Sequence, residues 1–235
     1  MIIDDALADL GPRPPGPVVR VLGGIFPGVK EVQAQTEPYA AAWDRANRAA
    51  LAATGPLWVA LGDSMTQGVG ASAYDRGYLG QLADRLRADG WDHRVVNLSV
   101  TGARVDDVVQ NQLPALDAIS AQEGPPALVT VVIGSNDVVS PLHRHGLAER
   151  FADLLDRLPH GAVVMNLPNP HREARRLDDL LRTRAAAGQV ILADMRREGP
   201  RSWRGLLAAD SFHLNDRGYA VMADVVESAL RRGPA

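Results

Sequence analysis

The sequence predicts an α/β protein of three layers, with a doubly wound, mostly parallel five-stranded sheet between two layers of helices. Three observations lead there. Five short apolar runs alternate with amphipathic helical patterns over most of the chain, and such alternation buries a parallel sheet on both faces. The run Ala127 to Ile133 is dominated by β-branched residues and bounded by turn residues, as a fully buried strand requires. Crossovers between parallel strands are right-handed, which makes the winding double.

Residues 1–37 hold Pro12, Pro14, Pro15 and Pro17, which deny a helix and predict an extended arm. Val18 to Phe26 is apolar enough to lie against the domain, covering an edge of the sheet or sharing in a substrate cleft. From Pro38 the spacing turns helical, with Tyr39, Ala42, Trp43, Ala46, Ala49 and Ala50 on one apolar face, until Gly55-Pro56 stops it. Residues 1–56 thus read as an arm and helix packed on a main domain of residues 57–235. The first strand is Leu57 to Leu61. Tyr78, Leu79, Leu82 and Leu86 mark a helix ending at Gly90, and Arg94 to Leu98 is a short strand. The next helix begins after Gly102, carries Val105, Val108 and Val109, and is expected to bend or break at Pro114.

After the strand at Ala127 to Ile133, Leu147, Phe151, Leu154, Leu155 and Leu158 follow helical spacing. Strands at Ala162 to Asn166 and Gln189 to Ala193 flank an arginine-rich helix. Its Arg172, Arg175, Arg176, Arg182 and Arg184 are interleaved with Glu173, Asp178 and Asp179, the pattern of a solvated face laced with ion pairs. A last helix spans about Asn215 to Arg231, with Asn215 suited to cap it and Tyr219, Met222, Ala223, Val226 and Leu230 forming its buried stripe.

Composition narrows the function. The 235 residues are 46% hydrophobic, enough for one sizeable core. A net charge of -3 leaves no electrostatic footprint for nucleic acid. The chain has no cysteine, which excludes disulfides, thiolate catalysis and cysteine-ligated zinc. No apolar run approaches the roughly 18 residues of a membrane span. The start, Met1 to Asp5, lacks the basic and apolar regions of a signal peptide, so a cytoplasmic location is expected. Neither cofactor nor metal is expected.

In an open parallel sheet the loops after the strands converge at one edge, where ligands bind. After the first strand comes Gly62-Asp63-Ser64, which taken alone reads equally well as a polar turn or as a nucleophile. After the second comes Asn97 to Gly102, after the third Gly134-Ser135-Asn136-Asp137, and before the last helix Asp210-Ser211-Phe212-His213. A serine hydroxyl needs an imidazole to take its proton, and the imidazole needs an acceptor on its other nitrogen. An aspartate and a histidine three apart on a tight turn can meet, so His213 is the candidate base and Asp210 its orienter. Acyl transfer also needs donors for the developing oxyanion. Ser64 and Gly102 can offer backbone N–H groups, and Asn136 its carboxamide.

These segments together resemble the SGNH, or GDSL-type, hydrolase family. Gly62 to Gly68 is similar to its first block, Asn97 to Gly102 to its glycine block, Gly134-Ser135-Asn136-Asp137 to its G-x-N-D block, and Asp210 to His213 to its D-x-x-H block. The four stand in the family's order within residues 57–232. The resemblance implies a flavodoxin-like fold and a catalytic set of Ser64 as nucleophile, His213 as base and Asp210 as its partner. It also implies an oxyanion hole of Ser64, Gly102 and Asn136, with Asp63 as structural support. The implied activity is hydrolysis of a small-molecule carboxylic ester through a Ser64 acyl-enzyme. A thioesterase, a lysophospholipase and a sugar O-acyl esterase or transferase use the same groups, and a non-catalytic binding protein of the same fold is the alternative from another class. Leu214 stands where the family often has proline, and residues 1–56 have no counterpart in its minimal fold. Val138 to Gly146, Pro168 to His171, and Gly199 to Ala209 with Trp203 are candidates to shape the substrate cleft.

Overall fold

The computed structural model describes residues 26–233. Its centre is a five-stranded, wholly parallel sheet of β1 (Leu57–Gly62), β2 (Arg94–Asn97), β3 (Leu128–Val132), β4 (Ala162–Met165) and β5 (Val190–Ala193). The strand order is β2-β1-β3-β4-β5. Order reverses between β1 and β3, so the crevice beyond their carboxyl ends is the topological switch point where such sheets bind ligands.

β1 is buried along its whole length, and its alternate residues feed two cores. Leu57, Val59 and Leu61 point to the face covered by helices from residues 105–123, 147–157 and 172–186. Trp58 and Ala60 point to the other face, under helices from residues 36–52, 78–88 and 216–232. The Trp58 indole is fully buried and its N–H donates to Thr130 Oγ1 at 3.0 Å, which removes the cost of desolvating it.

The N-terminal part differs from the expected arm. Residues 1–25, with the four prolines, lie outside the described residues, as does most of Val18 to Phe26. Within the stretch read as extended, Pro27–Gln33 is a helix, α1, with Pro27 in its first turn, where a missing N–H costs nothing. α2 (Thr36–Ala52) starts two residues before Pro38 for the same reason. Its buried residues are Trp43 and Asn47, so the face is less apolar than the alanines predicted. Asn47 covers the sheet's edge. The N–H groups of Arg94 and Leu98 point inward to the carbonyls of Pro56 and Ala60, which leaves those of Asn97 facing outward. Asn47 meets both, accepting from the Asn97 N–H and donating to its carbonyl, each at 2.8 Å.

Pro114 does not break its helix. The helix α4 (Tyr78–Ala88) lies before β2, and after it α5 begins at Val105–Asp107, widens to a π-turn at Val108–Gln112 and continues as Leu113–Glu123. The wide turn sits where the proline ring would strike a preceding carbonyl, so the helix passes through.

The arginine-rich segment is the helix α8 (Arg172–Ala186), after α6 (Ser135–Val139) and α7 (Leu147–Arg157). Four of its five arginines are paired: Arg182 with Asp178 and Asp194, Arg184 with Asp156, Arg172 and Arg176 with Glu173. The Asn166 amide donates to both Asp178 and Asp194 at 2.7 Å, tying α8 to the ends of β4 and β5. After β5 come the short α9 (Met195–Glu198) and the closing α10 (Asp216–Arg232), which Asn215 caps by accepting from the N–H groups of Arg217 and Gly218.

Replacing Asn47 by alanine leaves the outward N–H and C=O of Asn97 unpaired under α2. Denaturant unfolding of Asn47→Ala should show a loss of about 1–3 kcal/mol, the cost of a buried polar group without a partner.

Candidate active site

β1 ends where the chain must turn sharply. Gly62 has a φ of 148°, and a Cβ there would lie 2.3 Å from the Val132 carbonyl oxygen and 2.5 Å from Thr66 Oγ1, so no side chain fits. The short helix α3 (Ser64–Gln67) follows, capped by Asp63, whose Oδ1 accepts the Met65 N–H at 3.0 Å. Gly68 closes it in the left-handed region at φ 78°. Ser64 is thereby the first residue past the cap, 4% exposed.

Gln112, from the π-turn of α5, holds this turn from behind. Its Oε1 accepts the Gly62 N–H and its Nε2 donates to the Gly62 carbonyl, both at 2.8 Å, and the residue is fully buried. Residue type alone does not distinguish Gln112 from the neighbouring Gln110 and Asn111. Its i, i+4 relation to Val108 on the buried face was the one available signal.

The second component is the turn from Asp210 to His213. Asp210 Oδ1 accepts the N–H groups of Phe212 at 3.0 Å and His213 at 2.9 Å. Ser211 has a φ of 57°, the one non-glycine with a positive φ among the described residues. Small polar residues tolerate that region best, and here it folds the turn back on itself. The result brings Asp210 Oδ2 to 2.6 Å from His213 Nδ1, and His213 Nε2 to 2.8 Å from Ser64 Oγ. With Nδ1–H donating to the carboxylate, Nε2 is the acceptor facing the serine hydroxyl. Burial alone would raise the Asp210 carboxyl; the hydrogen bond and charge of His213, with the two backbone N–H groups, hold it below the ordinary value instead. The Phe212 ring packs edge-on against the imidazole, centroids 5.0 Å apart.

The serine and histidine segments meet at Gly70. A Cβ there would stand 2.5 Å from the Leu214 carbonyl oxygen and 2.8 Å from His213 Cβ, and φ is 97°. A glycine is the residue that permits this approach.

The oxyanion candidates lie around the same point. Among the described residues neither the Ser64 nor the Gly102 N–H donates to a protein acceptor. Gly102 has a φ of 79° and open space where a Cβ would be. Asn136, in the first turn of α6, donates from Nδ2 to the Ala103 carbonyl at 2.9 Å and to Asp63 Oδ2 at 3.3 Å. Asp63 therefore does two things: it caps α3 and faces the Asn136 amide. The glycine block is held by Gln67, whose Nε2 donates to the Ser99 carbonyl at 2.9 Å and whose Oε1 accepts the Thr101 N–H at 3.1 Å. Gln67 lies within the first block, but spacing gives no sign of its partner across the edge.

The six groups named from sequence thus converge on one edge. Among the described residues no three His, Asp or Glu side chains gather as a metal-binding group, and no helix is long and apolar enough to cross a membrane. Of the cleft candidates, Val139 and Leu142 are exposed, at 48% and 87%, whereas Trp203 packs against the core.

Comparison with known proteins shows the family and the fold. The profile of the GDSL-like lipase/acylhydrolase family matches residues 60–221. Esterase TesA of Pseudomonas aeruginosa is 30% identical over 161 residues, 65% of this chain and 77% of that protein. A crystal structure of TesA superposes with a TM-score of 0.61 at 22% identity, covering 75% of this chain and 98% of that one. The psychrotrophic esterase EstA from Pseudoalteromonas gives 0.58 at 19% identity, covering 76% and 98%. At those identities the structures establish the shared three-layer fold.

Burial raises the Asp63 carboxyl from 3.8 to about 7; Asp137 adds to the rise, while the Met65 N–H and the facing His213 oppose it. The folded chain then retains a proton that the unfolded chain releases. Asp63's contribution is complete below 3.8 and is lost as pH rises through about 7. In denaturant titrations across that window, the stability of Asp63→Asn relative to the native protein should climb with pH and level off above it.

Proposed function

Because the chain belongs to the GDSL-like lipase/acylhydrolase family of hydrolases, we propose that it is a serine esterase cleaving small carboxylic esters through an acyl-enzyme on Ser64. The observation that carries this reading is the unbroken line of contacts from Ser64 Oγ through His213 to Asp210, 2.8 Å and 2.6 Å. The similarity to proteins named as esterases supports the ester as substrate.

In this mechanism Ser64 Oγ attacks the ester carbonyl carbon while its proton passes to His213 Nε2. Asp210 holds the ring in the tautomer that can accept and stabilises the imidazolium that forms. The negative charge moves to the former carbonyl oxygen, where the uncommitted N–H groups of Ser64 and Gly102 receive it. Asn136 joins them by giving up its long 3.3 Å bond to Asp63 while keeping the one to Ala103. The tetrahedral species collapses, the C–O bond to the alcohol breaks, and His213 returns the proton to the leaving oxygen. A water then loses its proton to His213, attacks the acyl carbon, and releases the acid with the Ser64 hydroxyl restored. Val139 at the end of α6, Leu142 in the helical turn after it and Phe212 beside His213 supply exposed apolar surface suited to the acyl portion.

On a short activated ester, Ser64→Ala should lose activity by about 10⁴-fold or more, and Asp210→Asn by about 10⁴-fold, in proteins that remain folded. Full turnover by folded Ser64→Ala would remove the proposal. Asn136→Ala should lower kcat by about 10²–10³-fold, the usual effect of one oxyanion donor; an unchanged kcat would assign that residue to structure alone.

A further inference from the structure

α1 and α2 precede the family match, which begins at residue 60, yet they touch the site from two sides. Gln35, Tyr39, Trp43 and Asn47 recur every four residues, which places them in one row along the helix. Each of them bonds to a loop or strand end at the edge that holds Ser64. Gln35 Oε1 accepts the Gly70 N–H at 2.7 Å, and its Nε2 donates to the Ala71 carbonyl at 3.2 Å. Tyr39 donates to the same Ala71 carbonyl at 2.8 Å, and the Trp43 indole to the Gln67 carbonyl at 3.0 Å. Asn47 completes the row on Asn97. From the other side, α1 packs so tightly on Ala209 that a Cβ at Gly28 would lie 2.2 Å from its carbonyl oxygen. Ala209 directly precedes Asp210.

We propose that α1 and α2 form a positioning element for the esterase site, added to the family fold, with α2 bracing the Ser64 side and α1 bracing the Asp210–His213 side. This rests on reading Ser64, His213 and Asp210 as the catalytic set. The need for such a brace is geometric. The serine and histidine lie 149 residues apart on separate segments, and a misplacement of about 1 Å at a reacting pair costs up to about 10²-fold in rate. Gly70 is where the two loops touch, with His213 Cβ, Leu214 and Ala208 nearest to it, and its N–H is held by Gln35. Gln35 therefore fixes the surface on which His213 rests, and Gly28 fixes the start of the turn that carries its acid. Neither residue touches the reacting atoms.

The test compares Gly28→Ala and Gln35→Ala with Arg94→Ala. Arg94 holds the far end of α2 through the carbonyls of Ala50, Ala53 and Gly55, at the start of β2 and away from the site. Four quantities are measured: kcat and KM on a short aryl ester, melting temperature, and the low-field proton resonance of His213 Nδ1–H. Gly28→Ala and Gln35→Ala should lower kcat about 10- to 100-fold with KM little changed, and should shift or broaden the resonance. Arg94→Ala should lower the melting temperature while leaving kcat and the resonance as in the native protein. If kcat and the resonance are unchanged in the first two variants, or merely track melting temperature across all three, the helices are structural and the proposal is overturned. A native protein that neither cleaves esters nor labels with a fluorophosphonate would instead defeat the catalytic reading, and the resonance would still report whether α1 and α2 hold His213 to Asp210.

Discussion

Two backbones come together at Gly70, and the contact between Ser64 and His213 depends on that approach. A parallel sheet delivers the ends of its strands to one edge, but an edge is tens of ångströms wide and a hydrogen bond is about 3 Å long. The remaining distance is closed by missing side chains. Gly70 admits the histidine segment, and Gly62 lets the end of β1 lie against Val132 while turning into α3. Side-chain amides then hold what the glycines allow to come close: Gln112 grips both polar groups of Gly62, and Gln67 spans from α3 to the loop after β2. Each amide has both donor and acceptor engaged, so it fixes its partner's orientation as well as its distance.

The elements of the fold were legible because burial constrains composition. A strand covered on both faces must be apolar throughout, and all five such runs in the sequence are strands of the sheet. The Asp210-to-His213 turn was legible for a different reason: the two side chains that meet there are three residues apart, so their contact is a local matter. Asn136 and Gly102 were legible only as members of loops at the sheet's carboxyl edge, since the Asp63 and Ala103 partners of Asn136 lie 73 and 33 residues away.

What could not be read has a common cause. Gln112 and Asn47 find their partners 50 residues away, and Gln67 finds its partner 32 away. An amide bound for the interior looks in sequence like one bound for water. The row on α2 was read only in part for that reason: Trp43 is buried as its apolar spacing predicts, but Tyr39 and Trp43 each also spend a polar atom on a backbone carbonyl. Pro114 was half legible, since the helix does not break there but its preceding turn is distorted. A proline in a helical pattern signals a break, and periodicity carries no sign that the preceding turn has widened to accept it.

The Asn47 contact on β2 has a consequence beyond the loss of one bonded pair. β2 is an edge strand, only four residues long, and its outward groups are what another chain would need in order to add a strand to the sheet. The carboxamide of Asn47 imitates such a strand with a single side chain, and the body of α2 lies over the rest. The sheet is thereby closed to growth on the β2 side. A chain begun at β1, without α1 and α2, would expose that template, and the exposure would appear as self-association through β2.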